Sequence, residues 1–426
     1  MPPTLRIALI SLVYIMQFSL VFVDAAEFAM LANVPSRGAA DGTNNFGAAV
    51  ASNEFFVAYS SPVDPNSASK INRGIFVYLT TFKDKDVTTW IPSHSIAPPI
   101  GSSLAFGAGL TFGRDSSNVH LLAVGDTNAN TGIVYLYSLQ KPVNGVLVNG
   151  SVTLVSSIAN PANASLCSCP GNYPCRLKCA FGYVMTMSPN FLYIGAPRQN
   201  VCTGDQNSVV EGVLYIYSMI IASDSNINVS LNQTINGQLD HSGTCLSFAG
   251  ISQFSYGLAA TDTELIVGPT NSSDFNSMGA ALMERTSLSS PMVLVKVIGN
   301  VQQVNVADMQ EIFQMRVSFI GGKYAVISYP LVNFNRGRME VYARANATSG
   351  MGAFGSFSFN SIPAKSLKQC GTVVGLFEHT SQFVFLCPSQ PTQIHVVALT
   401  SGAASDVVEL DVPTGIGNLC ASCGIV

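Results

Sequence analysis

The sequence predicts an all-β fold, a β-propeller of six to seven four-stranded blades laid out as antiparallel meanders. Three observations carry that expectation. A three-part phrase recurs six times along the chain, a further apolar segment follows most copies, and no long helical period interrupts them.

The phrase is an aromatic-Gly pair opening a short apolar strand, a second strand ending near Gly or Pro, and a third strand of the form Gly-x-Val-Tyr-x-Tyr. The first copy has Phe46-Gly47, then Phe55-Phe56-Val57 with Pro62, then Gly74 to Tyr78. The second has Phe106-Gly107, Leu121 to Gly125, and Gly132-Ile133-Val134-Tyr135-Leu136-Tyr137. The third is the clearest: Phe181-Gly182, then Phe191 to Ile194 with Gly195-Ala196-Pro197, then Gly212-Val213-Leu214-Tyr215-Ile216-Tyr217. In the fourth, Tyr256-Gly257 precedes Leu265 to Pro269 and Gly279 to Leu282. The fifth runs Gln314 to Val317, Tyr324 to Pro330 and Gly337 to Tyr342. The sixth runs Cys370-Gly371, Phe383 to Pro388 and Gln393 to Val397. Successive copies are about 55 to 75 residues apart.

A fourth strand is expected at 152–157, 227–231, 292–298, 354–359 and 407–412. Four short strands per repeat, rich in Val, Ile, Tyr and Phe and separated by Gly, Asn, Ser and Asp, match one propeller blade. Alternating apolar positions then bury both faces of each blade against its neighbours. The glycine beside the aromatic lets two blades approach closely or takes a positive φ at a bulge, while the ring fills the space between sheets. Pro197 ends its strand at a turn, where no ladder donor is required. The blade count stays open: 26–34 reads as a fourth strand without its three predecessors, and 415–426 reads as the remnant of a seventh repeat.

In that order, aromatic-Gly, Gly-Ala-Pro and Gly-x-Val-Tyr-x-Tyr resemble FG-GAP repeats, the blades of integrin α-subunit heads, which are also found in bacterial and protist surface proteins. The resemblance spans roughly residues 27–412. It implies a propeller whose loops recognise a partner, and in that family several blades hold calcium in the hairpin between their first two strands. The matching hairpins here are short and neutral: 52–54, 188–190, 261–264, 321–323 and 379–381. The longer 113–118 offers one carboxylate, Asp115, beside Arg114. A calcium loop needs several oxygen ligands at alternating positions, so neither calcium nor any other cofactor is expected.

Composition narrows the class further. Charged residues make up 10% of the 426 and the net charge is −4, so there is no basic field for nucleic acid. The apolar run from Ile7 to Val23 after Arg6, with small residues at Val23 and Ala25, reads as a signal peptide over 1–25, an uncleaved anchor being the alternative. The propeller is then expected over 26–412 with a cysteine-containing tail over 413–426, secreted or at the extracellular surface, with no membrane span after cleavage. Six glycosylation sequons, at Asn149, Asn163, Asn228, Asn232, Asn271 and Asn346, agree with export. So do ten cysteines, read as disulfide candidates and not as a zinc site: Cys167, Cys169, Cys175, Cys179, Cys202, Cys245, Cys370, Cys387, Cys420 and Cys423. Spacing alone leaves their pairing undetermined, although Cys370 and Cys387 bracket an apparent hairpin.

No catalytic constellation stands out. The five histidines (His94, His120, His241, His379, His395) are scattered, and no phosphate-binding glycine loop or Gly-x-Ser-x-Gly elbow is present. The expected function is therefore non-enzymatic: a cell-surface or extracellular binding and adhesion module whose loops meet a protein or glycan, at the cell surface or in the extracellular matrix. Loop 140–179, stiffened by cysteines, is the first candidate contact surface. The alternatives are a self-assembling subunit of an extracellular coat, sheath or filament, and a hydrolase or lyase with acid–base groups on loops of different blades.

Overall fold

The computed structural model describes residues 49–53, 55–60, 77–81, 94–103, 105–114, 119–127, 131–143, 147, 150–162, 167, 179–199, 212–223, 226–237, 254–271, 277–302, 315–320, 322–329, 338–346, 348–357, 373–377, 382–386, 393–400 and 403–411. The proposed 1–25 signal, Phe46-Gly47, the 26–34 strand and the 413–426 tail lie outside these residues.

Among the described residues the strands form six antiparallel four-stranded sheets, each running from first to fourth strand in sequence order. The first sheet holds β1 (Val50–Ser52), β2 (Phe56–Ser60), β3 (Val77–Thr81) and β4 (His94–Ile96). The second holds β5 (Phe106–Arg114), β6 (His120–Asp126), β7 (Ile133–Leu139) and β8 (Val152–Ala159). The third holds β9 (Met185–Met187), β10 (Phe191–Ala196), β11 (Val213–Ser223) and β12 (Asn226–Asn236). The fourth holds β13 (Gly257–Ala260), β14 (Glu264–Asn271), β15 (Ser277–Glu284) and β16 (Val293–Gln302). The fifth holds β17 (Arg316–Ile320), β18 (Tyr324–Tyr329), β19 (Arg338–Ala343) and β20 (Gly355–Phe357). The sixth holds β21 (Val373–Phe377), β22 (Gln382–Leu386), β23 (Gln393–Thr400) and β24 (Ala403–Asp411). First strands of successive sheets touch, β1 to β5, β5 to β9, β9 to β13, β13 to β17 and β17 to β21, so they line a common axis. This is an all-β propeller.

Strand composition follows from position in the blade. The second strands are covered by neighbouring sheets on both faces, and every residue of β2, β6, β10 and β18 is buried. In β6, Leu122 and Val124 pack toward the first sheet with Phe56, Ala58, Val77, Leu79, Phe106, Tyr135 and Tyr137. Leu121 and Ala123, one residue out of phase, pack toward the third with Phe181, Leu192, Ile194, Tyr215 and Tyr217. The same alternation fills the next two seams. Fourth strands are outermost, and β8 is partly buried or exposed at every position but Ile158.

The aromatic-Gly pair builds the seam, as its chemistry suggests. Phe106 and Phe181 are fully buried, each stabilising the fold by about 1.5–3 kcal/mol. Gly182 has φ +82°, and a Cβ there would stand 2.7 Å from Val134 of the preceding sheet. The second-strand glycine receives the crossing backbone: Gly125 lies against the Gly182 carbonyl, and Gly195 against the Ser255 carbonyl.

That last contact shifts the frame of the fourth blade by two residues. The aromatic-Gly position is filled by Phe254-Ser255, not by Tyr256-Gly257. Phe254 is fully buried in the seam and packs its backbone on Gly212, as Phe181 packs on Gly132. Ser255 takes φ +70°, the left-handed region usually given to glycine, and its hydroxyl donates to the Val213 carbonyl at 2.8 Å. Tyr256 is thereby register-equivalent to Tyr183, and Gly257 opens β13.

Candidate binding face

The two ends of the propeller are built differently. One end carries the hairpins between first and second strands, where polar side chains join neighbouring sheets. Asn53 closes its own turn by accepting from the Phe55 and Phe56 amides at 3.0 and 2.9 Å. Its amide nitrogen also reaches His120, a buried histidine whose ring stands edge-on to Phe55. Between the third and fourth sheets, the Asn190 backbone and side-chain nitrogens donate to the Asp262 carboxylate at 2.9 and 2.7 Å. Tyr193 donates to the Thr261 carbonyl, and Arg285 lies 4.0 Å over the Phe191 ring. Between the fourth and fifth sheets, buried Arg344 forks onto Glu264 and donates to the Gly322 and Ser349 carbonyls. Glu284 accepts from the Met351 amide at 2.9 Å. Among the described residues no three His, Cys, Asp or Glu side chains converge as metal ligands would.

The opposite end carries the connections from second to third strand and from each fourth strand to the next sheet. The disulfide-stiffened segment nominated from sequence is rooted here. Cys167 and Cys179 are bonded to each other and both are buried. Asn160, at the end of β8, donates its side-chain amide to the Thr131 carbonyl at 3.1 Å and to Gln199 Oε1 at 3.4 Å. Gln199 in turn hydrogen-bonds the Tyr215 hydroxyl of the Gly-x-Val-Tyr-x-Tyr strand. Burial holds that hydroxyl above the usual tyrosine range, with the Gln199 bond opposing the rise. This buried polar chain ties the second sheet to the third at the base of the loop, as a satisfied network rigidifies its surroundings. The Arg198 amide donates to the Cys179 carbonyl at 3.2 Å, joining the loop root to the axial side.

At the axis, three side chains from three sheets meet, and the charge of a fourth, Arg198, acts on one of them. Tyr183 and Tyr256, each following its blade's aromatic-Gly position, have ring centroids 5.6 Å apart. The Arg316 guanidinium, at the start of β17, lies 5.3 Å over the Tyr256 ring. Burial raises the Tyr256 hydroxyl well above the ordinary value, Tyr183 adds to the rise, and the charges of Arg316 and Arg198 oppose it. The hydroxyl is thus a neutral donor at physiological pH. All four side chains are partly open to solvent, and neither arginine has an acidic partner among the described residues. The cluster supplies two guanidinium forks and two phenols, a set suited to holding an anion. Sequence reasoning missed it because the four positions belong to three blades and share no phrase. The recurrence of Tyr183 and Tyr256 just inside the aromatic-Gly position was the available signal.

The remaining candidates are placed as follows. Asn228 and Asn232 are exposed on the outer strand β12, and Asn346 is exposed in the turn after β19. Asn271 is the last residue of β14. Asn149, Asn163, Cys169, Cys175, Cys202, Cys245, Cys370, Cys387, Cys420 and Cys423 lie outside the described residues.

Fold and seam define the class: an antiparallel all-β propeller. No protein-family model matches the chain, and no curated protein matches it either. Among solved structures it is similar to a protein from Lactobacillus plantarum, at 12% identity over 87% of this chain and 86% of that one, with a TM-score of 0.50. It also aligns with an α-L-arabinanase of Penicillium chrysogenum solved with arabinobiose, at 11% identity over 87% and 94% of the two chains and a TM-score of 0.39. Prolyl oligopeptidase B of Galerina marginata aligns at 11% identity, TM-score 0.41, over 89% of this chain but 44% of its own. At such identities the likeness concerns fold alone.

Proposed function

We propose that this chain is an exported, N-glycosylated propeller of the FG-GAP type, with six or seven blades, acting as an extracellular or cell-surface binding module. Its loop-bearing end meets a protein or glycan. The observation that carries this reading is the convergence of Tyr183, Tyr256 and Arg316, with the charge of Arg198 acting on the same tyrosine, beside a disulfide-anchored loop root. These groups donate hydrogen bonds to a ligand. A guanidinium that never deprotonates and a phenol held neutral make poor general bases, so the set suits recognition better than turnover. Exposed sequons at Asn228, Asn232 and Asn346 are compatible with export.

The test is binding of the secreted protein to a glycan array and to cell surfaces, beside a variant whose 168–178 segment is replaced by a Gly-Ser linker of equal length. A ligand bound by the parent and lost in the variant is the expected result. No binding by the parent, or hydrolysis of an arrayed saccharide or peptide, overturns the reading.

A second reading, a self-assembling coat or filament subunit, is favoured by apolar residues exposed on outer strands: Leu154, Leu231, Val293 and Val295, with Ile220 beside them on β11. Light scattering separates the two, a monomer supporting the first and discrete oligomers or filaments the second.

A further inference from the structure

We propose that the axial cluster of Arg198, Arg316, Tyr183 and Tyr256 is a binding site for the carboxylate of an acidic saccharide. The proposal deepens the binding-module reading and rests on it. Three features of the cluster point to this chemistry.

The first is charge. The chain carries 20 basic against 24 acidic residues, yet two of the basic ones face a single phenol here without an acidic partner among the described residues. Arg344, by contrast, is paired with Glu264, while Arg285 lies over Phe191 and donates to the Leu288 carbonyl as a single buried cation away from the axis. A partly buried charge with no acidic partner among the described residues is costly on a rigid frame, and an arriving anion would lower that cost. A guanidinium fork matches the two coplanar oxygens of a carboxylate.

The second feature is the hydroxyl pair. Tyr183 and Tyr256 interact through their side chains, so together they present both a donor and an acceptor. Acetate offers acceptors only. A sugar hydroxyl next to a carboxylate offers and requires both.

The third is rigidity. Tyr183 follows Gly182, whose backbone is wedged against Gly125. Tyr256 follows Ser255, anchored to Val213 and wedged against Gly195. Arg316 pairs with Ser328 at the start of β17, and the Arg198 amide is held by Cys179. The four groups sit on three sheets whose spacing is set by backbone contact, so little ordering accompanies binding.

The test is isothermal titration calorimetry on the full secreted chain with sodium glucuronate, sodium acetate, sodium phosphate and glucose. Glucuronate is expected to bind more tightly than acetate or phosphate, with no binding of glucose. Arg316→Gln and Arg198→Gln are each expected to weaken glucuronate about 10- to 100-fold, the usual effect of losing a charged hydrogen-bond partner. Arg316→Lys, which keeps the charge and loses the fork, should fall between parent and Arg316→Gln. Thermal unfolding and near-ultraviolet circular dichroism establish that each variant is folded, and Asn346→Gln serves as a remote control with unchanged affinity. Glucuronate affinity untouched by both Arg→Gln changes overturns the proposal, as does acetate or phosphate binding as tightly as glucuronate. If the parent ignores glucuronate but still loses its surface ligand on replacement of 168–178, this inference fails and the binding-module reading stands. If both measurements fail, both fall.

Discussion

Replacing Gly195 by alanine tests the blade seam directly. The added Cβ would stand 2.6 Å from the Ser255 carbonyl oxygen and 3.2 Å from that of Val184. Ordinary contact begins at 3.4 Å, so Ser255 must retreat by about 0.8 Å (3.4 − 2.6). It cannot do so alone. Its hydroxyl is bonded to Val213, and Phe254, immediately before it, is fully buried with Phe191, Tyr193 and Leu265. Relief therefore opens the seam between the third and fourth sheets. Overpacking of this kind costs about 1–3 kcal/mol, and the rigid backbone on both sides places Gly195→Ala toward the upper part of that range.

Gly355→Ala is the control, since the nearest atom to its new Cβ is 3.8 Å away on the edge of the fifth sheet. It is expected to stay within about 0.5 kcal/mol of the parent. Denaturant unfolding of the three proteins, with equal slopes required, reads the difference as a shift in midpoint. Adding Ser255→Gly to Gly195→Ala sharpens the test, because it removes the serine hydroxyl but leaves the carbonyl in place. No rescue is expected. Equal stability of Gly195→Ala and Gly355→Ala would refute backbone-to-backbone contact at the seam. Rescue beyond the effect of Ser255→Gly alone would show instead that the Ser255 side chain, its Oγ 3.1 Å from the new Cβ and bonded to Val213, carries the resistance.

Three further outcomes follow from the geometry. Arg344→Met leaves Glu264 without its fork at a site where the arginine side chain is 1% and the carboxylate 17% exposed; a loss of about 3–5 kcal/mol is expected by chemical denaturation, only partly recovered by adding Glu264→Leu, because the Gly322 and Ser349 carbonyls still lack their donor. Cys167→Ser opens a tie between residues 12 apart, expected to cost at most about 2–4 kcal/mol and to speed proteolysis within 168–178, read by mass spectrometry of the fragments. Burial raises Tyr137, Tyr193, Tyr217 and Tyr256 above the ordinary tyrosine value, so the folded state holds these protons more tightly than the unfolded state. Their contribution is complete below about pH 10 and is lost as pH rises beyond it, so the thermal midpoint should fall above that pH while tyrosinate absorbance appears together with unfolding.

Much of this architecture is written locally and can be read locally. Strand periodicity places β6, β10 and β18, because strands buried on both faces show as unbroken apolar runs. Gly132-Ile133-Val134-Tyr135-Leu136-Tyr137 announces a third strand whose Ile133, Tyr135 and Tyr137 face the preceding blade and whose Val134 and Leu136 face the next, as the packing shows. The fourth blade was harder. Only backbone conformation reveals that Ser255 occupies a glycine position, and Tyr256-Gly257 two residues on imitates the motif. The Arg344–Glu264 pair, 80 residues apart, and the axial cluster leave no trace in any single repeat. The repeated phrase encodes what every blade must do to pack, whereas chemistry at the axis is assigned one blade at a time.

Those two facts are connected. The inner strands of the second, third and fourth blades are each pinned by a close crossing, Ser60 under Gly107, Gly125 under Gly182 and Gly195 under Ser255. The residue after each crossing, Ala108, Tyr183 and Tyr256 in turn, is thereby held at an equivalent height on the axis. Packing fixes the backbone there, and in the second to fourth blades it leaves the side chain free to differ: Ala, Tyr and Tyr. In the fifth blade the register, Arg316 opposite Ser328, makes Met315 the equivalent residue, and its sulfur packs onto Gly268. Arg316, one position along, then supplies the charge over Tyr256. The axial chemistry is thus asymmetric, concentrated on the third to fifth sheets among the described residues. A repeat that holds its backbone at the crossings and varies one residue further on can acquire a ligand site without rebuilding the seam, so recognition is placed at the axis and stability at the glycines.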